Sequence, residues 1–171
     1  MADLNKIVRD LKSKKDASLL PKAKIALLKQ NALTPSPQTP KATLVAAREI
    51  FELGALISIR NKDSEGFTRF VAQLQPFYDL PESTLKAGTE RNKITGLYLL
   101  LLLVKGDYAG FHTELEGLET FGVEVEADKY LGYPVKLERW LMEGSYDKVW
   151  KALDGPVPSE EYAVFSEVCL F

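Results

Sequence analysis

LLLVKGDYAGFHTEL, residues 101–115, interrupts a leucine-rich run at Gly106. Asp107 follows Gly106, and aromatic residues then stand three positions apart at Tyr108 and Phe111. Glycine tolerates the left-handed conformation that often ends a helix, and aspartate is a preferred N-cap of the next one. The stretch therefore predicts a tight corner between two helices, with the aromatic side chains of the second helix directed inward against the first.

The same pattern occurs at two other places in the chain. One copy is RWLMEGSYDKVWKAL (residues 139–153), 38 positions later, and the other is SIRNKDSEGFTRFVAQL (residues 58–74), 44 positions earlier. The matching pairs at the first offset are Gly106 with Gly144, Tyr108 with Tyr146, Phe111 with Val149 and Leu115 with Leu153; at the second they are Asp107 with Asp63, Gly110 with Gly66, Phe111 with Phe67 and Leu115 with Val71. Self-similarity at a period near 40 residues is typical of helical repeat arrays.

Helical periodicity runs through almost the whole chain. Leu4, Ile7, Val8 and Leu11 follow the spacing i, i+3, i+4, i+7, which predicts an amphipathic first helix. Three prolines between residues 31 and 40 exclude a helix there. These features predict a helical hairpin over residues 1–30, a Pro-rich loop over 31–40 and a helical-repeat domain over 41–171.

Caps and breakers predict the individual helix boundaries. The predicted N-caps are Thr43, Asp63 or Ser64, Asp107, Ser145 and Ser159. Pro76 is predicted to end the second helix of the first repeat, and residues 121–134 to connect to a helix over 135–142. Phe111, Trp140 and Trp150 are predicted core anchors, and Cys169 a buried small hydrophobic residue.

These observations predict an all-α fold, a right-handed α-solenoid of stacked TPR/HEAT-like helical hairpins. A single hairpin cannot bury its own apolar face, so neighbouring units must stack. The unit lengths lie closer to the spacing of HEAT repeats than to the 34 residues or so of the tetratricopeptide repeat.

Residue types that carry chemistry are scarce. His112 is the only histidine and Cys169 the only cysteine, which argues against a zinc site or an internal disulfide. Neither a Gly-rich phosphate loop nor a GxSxG motif occurs. The longest apolar run, residues 97–104, is far shorter than the 20 or so residues of a membrane span. We therefore expect an intracellular protein that is not an enzyme and has no cofactor, bound metal or membrane contact.

Positive charge is concentrated at the N-terminus. Residues 1–30 contain eight Lys/Arg and three Asp. Such a segment is either a solvated helix face or a surface for phosphate or an acidic partner. No aromatic residue falls within it, so a base-stacking platform is not supported and nucleic-acid binding is not expected.

Three stretches carry a resemblance to a known family: ELGALISIRNKDSEGFTRFVAQLQPFY (52–78), ITGLYLLLLLVKGDYAGFHTELE (94–116) and YLGYPVKLERWLMEGSYDKVWKAL (130–153). They closely resemble the family of the twelfth non-ATPase subunit of the 26S proteasome regulatory particle, called non-ATPase regulatory subunit eight in animals. This family belongs to the PCI class, which also includes the eighth subunit of the COP9 signalosome and the k subunit of translation initiation factor three. The resemblance covers most of the chain from about residue 41 onward.

The resemblance implies helical repeats followed by a winged-helix domain and a C-terminal tail helix. It also implies a structural subunit of the proteasome lid, in cytoplasm and nucleus, whose partners are other lid subunits and a neighbouring ubiquitin-receptor subunit. The alternative is a subunit of one of the other two PCI complexes. The chain stops where the winged helix should begin, so we expect a truncated repeat domain. Its apolar end is then the expected partner-binding site, formed by Phe165, Val168, Leu170 and Phe171.

Overall fold

The computed structural model describes the backbone of residues 2–14, 16–80 and 90–169, and the side chains of 3–14, 16–80 and 90–164. Regular structure in these residues is helical throughout, and no strand occurs among them. The helices are α1 (Ala2–Lys14), α2 (Leu19–Lys29), α3 (Lys41–Arg60), α4 (Ser64–Tyr78), α5 (Arg91–Lys105), α6 (Tyr108–Thr120), α7 (Lys129–Met142), α8 (Tyr146–Asp154) and α9 (Glu160–Cys169). The predicted all-α class is confirmed.

The chain divides into two compact units, Met1–Arg91 and Asn92–Phe171. In the first unit, α1 and α2 pack against each other and against α3, and α3 packs along α4. The first helix buries Leu4, Val8 and Leu11, as its spacing predicts. The domain boundaries predicted at residues 30 and 40 stay a prediction, although no helix forms between residues 32 and 40.

Aromatic rings form the centre of the first unit. The Phe51 ring centroid lies 6.4 Å from that of Phe70 and 5.7 Å from that of Phe77. Gly54 permits this packing, since a Cβ atom at that position would lie 2.6 Å from Cε1 of Phe70. The missing side chain of Gly54 therefore sets how closely α3 and α4 approach.

The corner predicted from the opening stretch forms in the second unit. Gly106 adopts the left-handed conformation with φ +72°, and the Asp107 carboxylate accepts a hydrogen bond of 2.9 Å from the backbone N–H of Gly110. At the matching corner of the first unit, Asp63 accepts from Gly66, also at 2.9 Å. Asp63, not Ser64, is therefore the N-cap of α4.

Glycine at the third position of both helices has a steric reason. A Cβ on Gly66 or Gly110 would collide with the carboxylate of Asp63 or Asp107, respectively. The repeated Asp-x-x-Gly pattern is therefore one capping device used twice.

Several predicted boundaries are wrong. Pro40 precedes α3 as its N-cap, and Thr43 is instead buried inside that helix. Helix α4 continues through Pro76 to Tyr78, because a proline in the last turn removes only one intrahelical hydrogen bond. Ser145 is the N-cap of α8, as predicted, although its side chain makes no capping hydrogen bond.

The predicted connection over residues 121–134 is too long. Helix α7 begins at Lys129, where the Asp128 carboxylate accepts from the backbone N–H groups of Tyr130 and Leu131 at 2.8 and 3.0 Å. Pro134 therefore lies inside the helix.

Of the three aromatic residues predicted to anchor the core, only one is fully buried. Phe111 is fully buried, as predicted, but Trp150 is 52% exposed and Trp140 only half-buried. The inward assignment of Trp150 is wrong, and the repeat itself explains why. At an offset of 38 residues Trp150 matches the exposed His112, whereas Val149 matches Phe111. Tyr108, also predicted inward, is exposed.

Candidate interaction surfaces

The side chains of the predicted partner-binding site are outside the described residues. Phe165 and Val168 lie in α9, but their side chains are not among those described, and Leu170 and Phe171 follow the last described position. The same holds for the side chain of Cys169, whose predicted burial is therefore untested.

Clusters suited to metal binding are absent from the described part of the chain. Within the same residues, no helix is long and apolar enough to cross a membrane. His112 lies on the exposed side of α6, with Nε2 3.3 Å from Oε1 of Glu138 on α7. The His112 side chain is 56% exposed and that of Glu138 only 13%, so the pair links α6 to α7 with one partner in solvent.

A buried polar cluster joins α3 to the end of α4. The Tyr78 hydroxyl donates a hydrogen bond of 3.0 Å to Oε1 of Glu52, and Nε of Arg48 lies 3.7 Å from the same oxygen. Burial raises the pKa of Glu52 to about 7, although Arg48 and the Tyr78 hydroxyl act in the opposite direction. Because Glu52 is only 4% exposed, the cluster holds two helices in register and offers no access to a substrate.

A second polar cluster is centred on the fully buried Tyr162 of α9. Its hydroxyl lies 3.0 Å from the carbonyl oxygen of Tyr130 and 3.3 Å from that of Lys93. In an α-helix the carbonyl of Tyr130 would accept from the N–H of residue 134, but that residue is a proline without an N–H. The Tyr162 hydroxyl therefore supplies the hydrogen bond that Pro134 cannot.

Close approach of α5 completes this cluster. A Cβ on Gly96 would collide with the Tyr162 hydroxyl and lie 2.6 Å from the carbonyl oxygen of Tyr130. Beside it, Nζ of Lys93 pairs with Oε2 of the buried Glu161 at 3.1 Å. Burial raises the pKa of the Tyr162 hydroxyl, so it stays protonated and remains a donor. The cluster joins α5, α7 and α9, and its role is structural.

A groove of about 350 Å³ lies in the first unit, between the start of α2 and the corner that joins α3 to α4. Its apolar lining includes Ala17, Leu20, Pro21, Ile57 and Phe70. Charge is supplied by Lys24, Arg69 and Asp63. Nζ of Lys24 lies 4.5 Å from the centroid of the Phe70 ring, so the cation rests on the aromatic wall. The volume is within the range of ligand-binding clefts.

The exposed face of α2 borders this groove. Ile25 and Leu28 are 54% and 59% exposed, while Leu20, Ala23 and Leu27 are directed into the core. The helix contains three lysines and no carboxylate. The helical hairpin predicted over residues 1–30 does not specify this face. The sequence LLPKAKIALLK nevertheless indicates it, because it holds more apolar residues than one helix face can bury.

A second group of exposed apolar residues lies at the corners of the second unit. It comprises Val104, Tyr108, Met142, Tyr146 and Trp150. Val104 and Tyr108 match Met142 and Tyr146 at the 38-residue offset, so equivalent positions of two repeats are exposed. Aromatic residues and methionine are enriched at protein interfaces.

Comparison with known proteins gives a consistent result. Residues 90–167 match the model of the CSN8/PSMD8/EIF3K family. The chain is 37% identical to 26S proteasome regulatory subunit RPN12 of Saccharomyces cerevisiae over 155 residues, which is 88% of this chain and 57% of that protein. Identity to rpn12 of Schizosaccharomyces pombe is 38%, over 86% of this chain and 53% of the relative. Identity to 26S proteasome non-ATPase regulatory subunit 8 homolog A of Arabidopsis thaliana is 35%, over 89% of this chain and 57% of the relative.

The chain thus spans little more than half the length of these relatives. The family match begins at residue 90 and includes both copies of the glycine corner in the second unit. The relatives extend the similarity over most of the first unit as well, since they cover more than four-fifths of the chain. Residues 90–167 thus match the CSN8/PSMD8/EIF3K family, and over most of its length the chain is similar to 26S proteasome regulatory subunits of yeasts and a plant.

Proposed function

We propose that this chain is a non-catalytic structural and assembly subunit of the 26S proteasome regulatory particle, located in its lid. It supports ubiquitin-dependent protein degradation through protein–protein contacts. The observation that carries the proposal is 35–38% identity to three proteasome regulatory subunits over 86–89% of the chain.

The described structure suits such a role. Its buried polar groups join helices: the Glu52 cluster links α3 with α4, and the Tyr162 cluster links α5, α7 and α9. Both are covered by protein and hold the backbone in place. Apolar side chains are exposed instead on α2 and at the corners of the second unit. Rigid helices with exposed apolar positions favour binding over catalysis.

The proposed partners are other proteasome lid subunits and a neighbouring ubiquitin-receptor subunit, in cytoplasm and nucleus. The relatives are proteasome regulatory subunits, which supports association with a proteasome. The ubiquitin-receptor neighbour rests on the family resemblance alone.

Affinity purification of the tagged protein from its own cells, followed by mass spectrometry and a peptidase assay, tests the proposal. We expect ATPase-ring and lid subunits together with peptidase activity. The family model also includes a signalosome subunit and an initiation-factor subunit. Recovery of initiation factors with ribosomal subunits, or of signalosome components, without proteasome subunits would overturn the proposal.

A further inference from the structure

We propose that the α2 face and the adjoining groove bind an acidic amphipathic segment of another protein. The binding surface comprises Pro21, Lys24, Ile25 and Leu28 on α2, together with Arg69 and Phe70 on α4. The inference concerns the chemistry of the occupant and is independent of the complex to which the protein belongs.

The apolar part of this surface is continuous along one face of α2. Pro21, Lys24, Ile25 and Leu28 follow the spacing i, i+3, i+4, i+7, which places them on neighbouring positions of the helix surface. Pro21 and Lys24 line the groove, and Leu28 lies one turn beyond Lys24 in the direction of the helix axis. Two exposed aliphatic side chains beside an apolar cleft match the side chains of an amphipathic helix.

The charge of the surface selects an acidic occupant. Lys24 on α2 and Arg69 on α4 place an ammonium group and a guanidinium at the groove, and α2 contains no carboxylate. The one carboxylate in the groove lining, that of Asp63, already accepts the capping hydrogen bond from Gly66. Carboxylates of an incoming segment therefore meet a positive field at this surface.

A peptide fits this surface better than a nucleic acid does. Single-stranded nucleic acids need exposed aromatic rings on which bases can stack. The residues of α1 and α2 contain no aromatic ring, and Phe70 is 6% exposed beneath the ammonium group of Lys24. Exposed isoleucine and leucine side chains bury no apolar surface against phosphate groups, whereas they do bury it against a leucine-rich peptide.

The test is a fluorescence-anisotropy titration of the purified protein with a labelled helical peptide of about 16 residues. Leucines occupy positions i, i+3, i+4 and i+7 of the peptide, and glutamates flank them. A peptide with lysines in place of the glutamates is the first control, and a single-stranded uridine oligonucleotide is the second. We expect only the glutamate peptide to bind, with an affinity that falls as salt rises.

Two variants of α2 form a matched pair. Lys24→Glu is expected to weaken binding roughly tenfold, because it reverses a charge at the groove. Lys22→Glu changes the net charge equally but lies about 200° around the helix from Lys24, and it should weaken binding by less than about twofold.

Leu28→Ser provides a readout that does not depend on charge or on the contact between Lys24 and Phe70. Leu28 is exposed, so the variant should melt like the parent while binding weakens roughly fivefold. Equal losses for the two lysine variants would show diffuse attraction and overturn the proposal. Unchanged binding by Leu28→Ser, or tighter binding of the uridine oligonucleotide than of the peptide, would overturn it as well.

Discussion

At the scale of single residues, burial decides which of the aromatic side chains stabilise the fold. Phe111 is fully buried, whereas Trp150 is half-exposed, although both stand in the second helix of a repeat. Side-chain size and hydrophobicity alone predict that both residues are core anchors. Their register within the repeat separates them, because Trp150 matches an exposed position of the other copy.

Replacing each aromatic residue by alanine tests this difference. Phe111→Ala should lower the free energy of unfolding by about 3–5 kcal/mol, since it leaves a cavity. Trp150→Ala should cost no more than about 1 kcal/mol, because much of the side chain remains in water. Urea denaturation followed by circular dichroism measures both. Equal losses would contradict the burial of these two positions.

Glu52 predicts a pH dependence with a defined sign. The pKa of its carboxyl is about 7 in the folded chain and 4.5 in its unperturbed state. The folded state therefore binds more protons between these values, and the stability contributed by protonated Glu52 is lost as pH rises through 7. It is fully present below pH 4.5 or so.

Glu52→Gln removes this dependence while leaving an oxygen for the Tyr78 hydroxyl. At pH 8 the variant should be more stable than the parent by up to about 3 kcal/mol, and at pH 4 the two should be nearly equal. Denaturant titrations across this range measure the difference. Parallel pH profiles for variant and parent would show that Glu52 ionises normally.

At the scale of helices, capping separates corners that look alike in sequence. Asp107 caps α6 with a side-chain hydrogen bond, while Ser145 at the matching corner makes none. Asp107→Ala should therefore cost about 1 kcal/mol, and Ser145→Ala only a few tenths of that. Thermal denaturation of the two variants gives the comparison, and a larger loss for Ser145→Ala would refute the capping assignment.

The proline in α7 predicts an energetic coupling between two helices. Tyr162→Phe leaves the carbonyl of Tyr130 without the donor that replaces the missing N–H of Pro134, and should cost about 1–3 kcal/mol. In the Pro134→Ala background the helix regains its own N–H donor. The same Tyr162→Phe change should then cost roughly 1 kcal/mol less.

A double-mutant cycle measured by denaturant unfolding gives this coupling. Tyr78→Phe serves as the matched control: its hydroxyl donates to Oε1 of Glu52 at 3.0 Å within the first unit. Its cost should be the same in both backgrounds. Additive free energies for Tyr162 and Pro134 would show that the hydroxyl does not replace the lost hydrogen bond.

At the scale of the whole molecule, the proposed scaffold role predicts how a destabilising core mutation affects the yield and the activity of the assembled complex. A structural subunit supplies a surface and a stable fold, so a core variant reduces the amount of assembled complex, not the rate of each complex. Phe111→Ala should therefore lower the yield of complex recovered through the tagged protein. Peptidase turnover per recovered complex should stay within about twofold of the parent.

The exposed His112 gives the control for this prediction. His112→Ala should leave both yield and turnover unchanged, because the His112 side chain is 56% exposed and its removal leaves no cavity in the core. A fall in turnover per complex with either variant would indicate a catalytic contribution from this chain, and would contradict the scaffold role.

Sequence by itself determined the helical class, the corners and the family. The glycine corners at Gly106 and Gly144 and the repeated Asp-x-x-Gly pattern are local devices: φ at Gly106 and the cap from Asp107 depend on residues within one turn. Such local interactions can be inferred from spacing alone. The family resemblance rested on the same contiguous stretches, and the comparisons confirmed it.

Only the tertiary structure decided which faces were covered. It showed that Trp150 is exposed, that α7 continues through Pro134 and that Ile25 and Leu28 lie on a basic, partly apolar face. Each depends on residues far apart in the chain: the hydroxyl that replaces the donor of Pro134 comes from Tyr162, and the groove beside α2 is closed by α3 and α4. Periodicity defines a helix and its apolar stripe, but which part of that stripe remains in solvent is decided by the helices packed against it.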